Sequence, residues 1–393
     1  MADGLLVSTE LNWALVRAFG EPTEPWGPPL DGHRAVSMAG GLGLLPRIVH
    51  RLGPSRLAAE VGQEATKEAL SGYRESVLAS AKLVALARLV GRVASGQGIR
   101  VVALKHVALC LAGISSTAER GAADADILVS DDDAPRLTEA LVGAGILTSS
   151  APGYDHQHSP LLHPRAGMLE LHRTIPGVRP RPGDPEMTLE ALVALGLATP
   201  LDSAEPCFLV PRPHVLLAHA LAHTLYQHGL DPGAYPPFKL LADVADLHLS
   251  AGEDLLRDAL PLIAAEVAEE DARAAWTLSS ALATGGVATV LASPESAEAR
   301  LLAHFVRAAL EPEYGEALKI RSALSLPSDR RGPAGLLRWA WHTLAISRAQ
   351  ARVLYGANTP AKYALALAAR PFHLAWKLAR YVTAAARGGA GRS

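Results

Sequence analysis

The sequence predicts an α+β protein, predominantly helical, in which one small mixed sheet is held between N- and C-terminal helical bundles. Three observations lead there. The chain of 393 residues is rich in Ala and Leu, with 5% aromatic and 19% charged residues, a composition that favours packed helices. Short alternating or β-branched runs are confined to about residues 98–176. From Pro211 onward almost every segment carries helical periodicity. The length allows two or three domains, which we place at 1–97 (helical), 98–205 (an α/β core) and 206–393 (helical, with a basic tail).

Thr9 to Arg17 starts the first helix, and Pro22 to Pro29 breaks the chain. Val36 to Leu52 reads as one helix loosened by Gly40, Gly41 and Gly43. Lys67 to Val93 is a long amphipathic stretch with Val77, Val84, Leu86, Val90 and Val93 at helical spacing, ended by Ser95-Gly96-Gln97-Gly98. Ile99 to Lys105 is a β-branched strand that runs into a short helix, His106 to Gly113. Asp124 to Val129 is a strand. Asp133 to Gly143 is a helix with an acidic N-cap, Pro in its first turn and Gly at its end. Ser159 to His163 and Met168 to Arg173 flank the turn Pro164-Arg165-Ala166-Gly167 as a hairpin. Pro176 to Asp184 is a loop or flexible linker. Helices follow at 211–228, 237–250, 254–268, 270–284, 295–310, 334–354 and 360–386.

Charge and cysteine content narrow the setting. The net charge is -2, but Arg330 to Ser393 holds 11 Lys or Arg and no acid. Such a tail suits peripheral contact with an anionic surface; nucleic acid is the less favoured partner. The start, Met1-Ala2-Asp3-Gly4, does not resemble a signal peptide, and no run is long and apolar enough for a transmembrane helix. Cys110 and Cys207 cannot form a disulfide framework, so a reducing cytoplasm is the expected compartment.

The chemistry concentrates in the strand Asp124-Ala125-Asp126-Ile127-Leu128-Val129. Residues i and i+2 of a strand share a face, so the two carboxylates point the same way. They repel unless a cation lies between them, and Mg²⁺ is the usual one, often bringing a nucleotide's phosphates. The bland alternative is a solvated surface pair. Glu170 lies on a neighbouring strand and would complete a two-metal site as third ligand or general base. Lys105, at a strand-to-helix junction, is placed to hold a triphosphate. His172 shares Glu170's face, either orienting the metal site or serving as a hydrogen-bonded core histidine.

The pieces Val102-Ala103-Leu104-Lys105, Glu119-Arg120, Asp124-Ala125-Asp126 and Glu170-Leu171-His172 resemble the uncharacterised nucleotidyltransferase family of the DNA polymerase β-like superfamily. So do His219 and His223 on one apolar helix and the Leu240-Leu241-Ala242-Asp243 step on the next. The resemblance covers about residues 75 to 250. It implies a nucleotidyltransferase-type sheet. Arg120 would either pair bidentately with the triphosphate or form an ion pair that anchors the loop near Asp124 or Asp126. His106 stands where the family has Gly, and Arg173 where it usually has Trp. Gly lets phosphates approach the backbone closely; His106 instead narrows the pocket, binds phosphate itself, or marks lost catalysis.

Taken together, Asp124, Asp126 and Glu170 are expected to bind two Mg²⁺, and Lys105, His106 and Arg120 the nucleoside triphosphate. The reaction would be transfer of a nucleoside monophosphate to an acceptor on a small molecule or peptide. The alternative is a catalytically degenerate protein that scaffolds a biosynthetic partner. Zinc at His219 and His223 is disfavoured, because no Glu-x-x motif accompanies them; packing or lining the substrate pocket is expected instead. A metal cluster of His156, His158 and His163 is likewise disfavoured. Trp339, Trp341 and Trp376 read as core or partner contacts.

Overall fold

The computed structural model describes residues 8–20, 28–143, 145, 148–149, 156–203, 205–227, 237–284, 289–290, 293, 295–310 and 359–389. It is an α+β fold, mostly helical, built around one mixed sheet. Among the described residues four helices precede the sheet: α1 (Thr9–Phe19), α2 (Gly32–Gly41), α3 (Leu45–Val61) and α4 (Gln63–Gly96). The single helix expected over 36–52 is two. Gly43 takes φ 74°, a left-handed turn open to glycine, and the chain reverses there from α2 into α3. A second break at Gly53-Pro54 kinks α3.

The core then runs β1 (Val101–Ala103), α5 (Lys105–Leu111), β2 (Asp124–Val129), α6 (Ala134–Gly143), β3 (Thr148–Ser149), β4 (Leu161–His163) and β5 (Gly167–His172). A two-stranded ribbon follows, β6 (Thr174–Ile175) with β7 (Met187–Thr188), then α7 (Leu189–Ala194), β8 (Ala198–Pro200) and β9 (Phe208–Pro211). The main sheet has seven strands in the order β3-β4-β5-β2-β1-β9-β8. β2 pairs parallel with β5, and β1 parallel with β9; the remaining neighbours are antiparallel. The expected hairpin is β4–β5, with Leu161 opposite Leu169.

The strands β8 and β9 are additions to the expected sheet, and β9 lies beyond residue 205. Phe208 is fully buried, and Gly91 of α4 is what lets the helix lie on it. A Cβ on Gly91 would come within 2.4 Å of the Phe208 ring. The buried face of α4, formed by Leu83, Leu86, Ala87, Val90 and Ala94, covers the sheet beside β1, β2, β5 and β9. Of the two readings of 176–184, loop or flexible linker, the structure has the loop, and it is tied down: the Arg179 guanidinium pairs with Glu266 at 2.7 Å and its backbone N–H donates to the Leu262 carbonyl.

Among the described residues the C-terminal helices are α8 (Pro213–Ala222), α9 (Pro237–Ala251), α10 (Leu255–Ile263), α11 (Glu269–Ala283), α12 (Ala297–Leu310) and α13 (Pro360–Gly389). α8 passes into a π-helical turn, His223–Gln227, a form often found at functional sites. α9 packs on α8, α11 and α12, while α11 touches α1. Phe372 and Trp376 of α13 are exposed. The helix expected at 334–354, with Trp339 and Trp341, lies outside the described residues. Among the described residues no helix is long and apolar enough to cross a membrane.

Candidate functional site

Strand register decides which side chains meet. In the parallel β2–β5 pair Asp124 is level with Met168, Asp126 with Glu170, and Leu128 with His172. Asp124 and Asp126 therefore share a face with Glu170 and His172, while Ala125, Ile127, Leu169 and Leu171 fill the opposite, buried face. The third carboxylate arrives from the neighbouring strand, as the alternation in the sequence implies.

Asp126 is the centre of the arrangement. It is 2% exposed, and its Oδ1 accepts from Lys105 Nζ at 2.7 Å and from His172 Nε2 at 2.9 Å. His172 Nε2 also lies 3.5 Å from Glu170 Oε2. Ligand atoms of Asp126, Glu170 and His172 all lie within 4.8 Å of one another, the one group of this kind among the described residues. Asp124 is not in that tight group but feels it. Repulsion from Asp126, then burial, pushes its carboxyl up to about 6, with Glu170 adding to the push. Burial would raise Asp126 as well, yet Lys105 and His172 hold its carboxyl well below the usual range. Burial would lower His172, but its bonds to Asp126 and Glu170 keep it above the ordinary value. His172 Nε2 thus bridges the two carboxylates and holds their orientation.

This donor set fits an oxygen-seeking divalent cation. Three carboxylates crowd one face, one of them is driven toward protonation by its neighbour, and an ammonium already lies against the innermost. Burial would depress Lys105, but Asp126, Asp124 and Glu170 hold it charged. Lys105 is also the only described non-glycine residue at positive φ, 50°. That backbone costs about 1–2 kcal/mol, a strain that proteins keep where function needs it.

His106 points away from this cluster. It is 3% exposed, its ring lies 3.4 Å from Cys110 Sγ, and burial holds its pKa well below the ordinary value. Arg120, expected at the triphosphate, is buried and pairs with Asp243 of α9 at 3.2 Å. Its loop is pinned by Ser80, whose hydroxyl donates to the Arg120 carbonyl and accepts from the Ala122 N–H. Arg173 lies 3.5 Å from Asp131, which also approaches His158 at 3.4 Å. His156 stacks near His172 with ring centroids 5.8 Å apart. His156, His158 and His163 form no metal-holding group among the described residues.

His219 and His223 do come to the site. With Lys105, Leu109, Leu216, Ala220 and Asp243 they line a small cavity of about 10 Å³ beside the acidic cluster. Their rings meet edge to face at 5.9 Å. They belong to no metal-holding group among the described residues.

One residue the sequence reading overlooked is Lys239. Burial and the nearby Arg120 pull its amine down to about 8, with Asp243 and Asp124 opposing. A signal for it exists. Lys239, Asp243 and Asp246 recur at helical spacing in an otherwise apolar run, which places three charges on one inward stripe of α9.

Neither the curated proteins nor the solved structures yield a match to this chain. A family model described as uncharacterised nucleotidyltransferase matches residues 28–282, which takes in α2 to α11 and every element named at the site. A match over more than half of the chain, on a fold that brings the acidic strand, its neighbour and the basic junction together, settles the relationship: this chain belongs to the uncharacterised nucleotidyltransferase family.

Proposed function

We propose that the protein transfers a nucleoside monophosphate from a nucleoside triphosphate to a hydroxyl on a small molecule or peptide. The observation that carries this reading is the Asp126–Glu170–His172 group with Lys105 against Asp126, in a chain of this family. Asp126, Glu170 and Asp124 would hold the divalent cation, with Mg²⁺ and two ions as the expected complement. When bound, such ions neutralise phosphate charge and acidify an acceptor hydroxyl.

The protein's own groups supply the rest. His172 fixes the orientation of Asp126 and Glu170. Glu170, only half-buried, takes the proton of the acceptor hydroxyl. The acceptor oxygen then bonds to the α-phosphorus as the bond from that phosphorus to the bridging oxygen breaks, and pyrophosphate leaves with the electron pair. Lys105 and, behind it, Arg120 place positive charge on the side of the leaving group. Arg120 contributes through its field, since Asp243 holds its guanidinium.

The test is mass spectrometry of products after incubation with mixed nucleoside triphosphates, Mg²⁺ and a library of metabolites and peptides. An acceptor heavier by one nucleoside monophosphate, with matching pyrophosphate release, is the expected result. Nucleotide binding with no transfer to any acceptor would point to a non-catalytic partner protein instead.

The position of His106 yields a separate prediction. Its ring is packed on Cys110, so it does not fill the space beside Lys105. His106→Gly should cost about 2–4 kcal/mol of stability through a cavity and helix-propensity loss. Nucleotide affinity, in contrast, should change by less than about tenfold. Calorimetric titration and thermal unfolding of both proteins check this. Nucleotide binding that appears only in the Gly variant would show that His106 blocks the site.

A further inference from the structure

Lys105 lies against the innermost carboxylate of the candidate metal site. Its ammonium lies 2.7 Å from Asp126 Oδ1, and two cations cannot share that oxygen without mutual repulsion. Loading the site with a divalent cation therefore favours displacement of the ammonium, which needs a polar partner where it goes, because the side chain is largely buried.

The structure supplies a destination. The small cavity beside the acidic cluster is lined by Lys105 itself, and across it by His219, His223 and Asp243. Its volume of about 10 Å³ admits one water-sized group, and an ammonium is of that size. His219 is 2% exposed, and neither of its ring nitrogens has a hydrogen-bond partner among the described residues. A buried imidazole left unbonded costs about 1–3 kcal/mol, so the fold keeps an acceptor waiting there. Burial, with Lys105 and His172 adding, drives His219 down to about 3, so its ring is neutral and always offers a lone pair. Asp243 contributes a carboxylate to the same wall. His219, His223 and Asp243 form no metal-holding group among the described residues.

We propose that His219 and Asp243 are positioning residues for Lys105: on metal loading the ammonium leaves Asp126 and lodges in this cavity, bonded to the His219 ring. Lys105 is then an internal counter-cation of the empty acidic site and a phosphate-facing charge of the loaded one. The inference rests on the metal-site reading under Proposed function and adds the route by which the site opens. The Lys105 side chain touches Asp126 of β2 and lines the cavity with His219 of α8, so both positions are within its reach.

The test is titration of the full-length protein with Mn²⁺, without nucleotide, read by the paramagnetic signal of the free ion. Five proteins are compared: the natural one, Lys105→Met, His219→Leu, His219→Gln, and the Lys105→Met/His219→Leu double variant. Removing the competing charge should tighten Mn²⁺ binding by at least about tenfold in Lys105→Met. His219→Leu should weaken binding by about tenfold, because the ammonium loses its alternative partner. His219→Gln keeps a side-chain acceptor and should stay within about threefold of the natural protein, which also covers the case of a Leu variant that fails to fold. The double variant should match Lys105→Met, since without the ammonium nothing needs the cavity.

An equal loss from His219→Leu in both backgrounds would overturn the proposal, as would unchanged affinity in Lys105→Met. Equal affinity in all five proteins would also overturn it, while leaving the metal site standing. No uptake of Mn²⁺ by any of the five would overturn the metal-site reading and this inference together.

Discussion

Asp126→Asn is expected to lower turnover by at least about 10³-fold while the protein stays folded. Asn keeps the shape and an acceptor oxygen for Lys105 and His172, which now both donate to Oδ1. What it removes is the charge at the most buried point of the acidic face, where Asp126 is 2% exposed. Two effects on stability oppose each other. The substitution relieves the repulsion that pushes Asp124 up to about 6, an effect that alone would stabilise the metal-free protein. It also takes from a largely buried ammonium its nearest counter-charge, leaving Asp124 and Glu170; removing one partner of a buried pair costs about 3–5 kcal/mol. The second effect is the larger, so the variant should be somewhat less stable, not more. Product formation by mass spectrometry, with thermal unfolding as the control, measures both. Unchanged turnover in a folded Asn variant would remove Asp126 from the role assigned to it.

The parts of the fold that the sequence reveals are those with local patterns. The alternation of Asp124, Asp126, Glu170 and His172 shows both the strands and their shared face. The Pro-Arg-Ala-Gly turn shows the β4–β5 hairpin. β9 escaped because Phe208-Leu209-Val210-Pro211 is a short apolar run with no alternation, and its partner β1 lies about a hundred residues upstream. Parallel pairing at that separation leaves no local mark. The break between α2 and α3 escaped for a different reason. Gly40, Gly41 and Gly43 tolerate helix as well as turn, and only the packing of both helices on α1 selects the turn.

The site divides in the same way. Which carboxylates converge follows from strand period and is legible. That the Lys105 ammonium lies against them is not legible, since it depends on the φ of that one residue and on a cavity that α8 and α9 close from more than a hundred residues away. His106 illustrates the limit most directly. Its place in the sequence, next to Lys105, suggests a phosphate contact, but helical geometry turns its ring onto Cys110, four residues on.

Arg47→Met is expected to destabilise the protein by about 3–5 kcal/mol and to lower its melting temperature by several degrees. Arg47 of α3 is 5% exposed and does three things at once. It pairs with Asp246 of α9 at 2.7 Å and with Glu119, just before the β2 strand, at 3.2 Å. Its Nε donates to the Ala18 carbonyl at the end of α1. Burial alone would depress the guanidinium, but Asp246 and Glu119 raise its pKa above the ordinary value. Removing it leaves Asp246, 7% exposed, as a buried carboxylate without this partner. The cost lies mainly in that stranded charge, so Asp246→Leu added to Arg47→Met should recover most of the stability, in a double-mutant cycle with strong coupling. The consequence reaches the site. Asp246 is three residues from Asp243, which holds Arg120 and walls the Lys105 cavity, so loosening α9 at Asp246 loosens both. Chemical unfolding of the single and double variants gives the coupling directly. Additive losses would show that the three elements are held by their apolar contacts alone, and that the ion network spanning α3, the β2 approach and α9 does not set the position of Asp243.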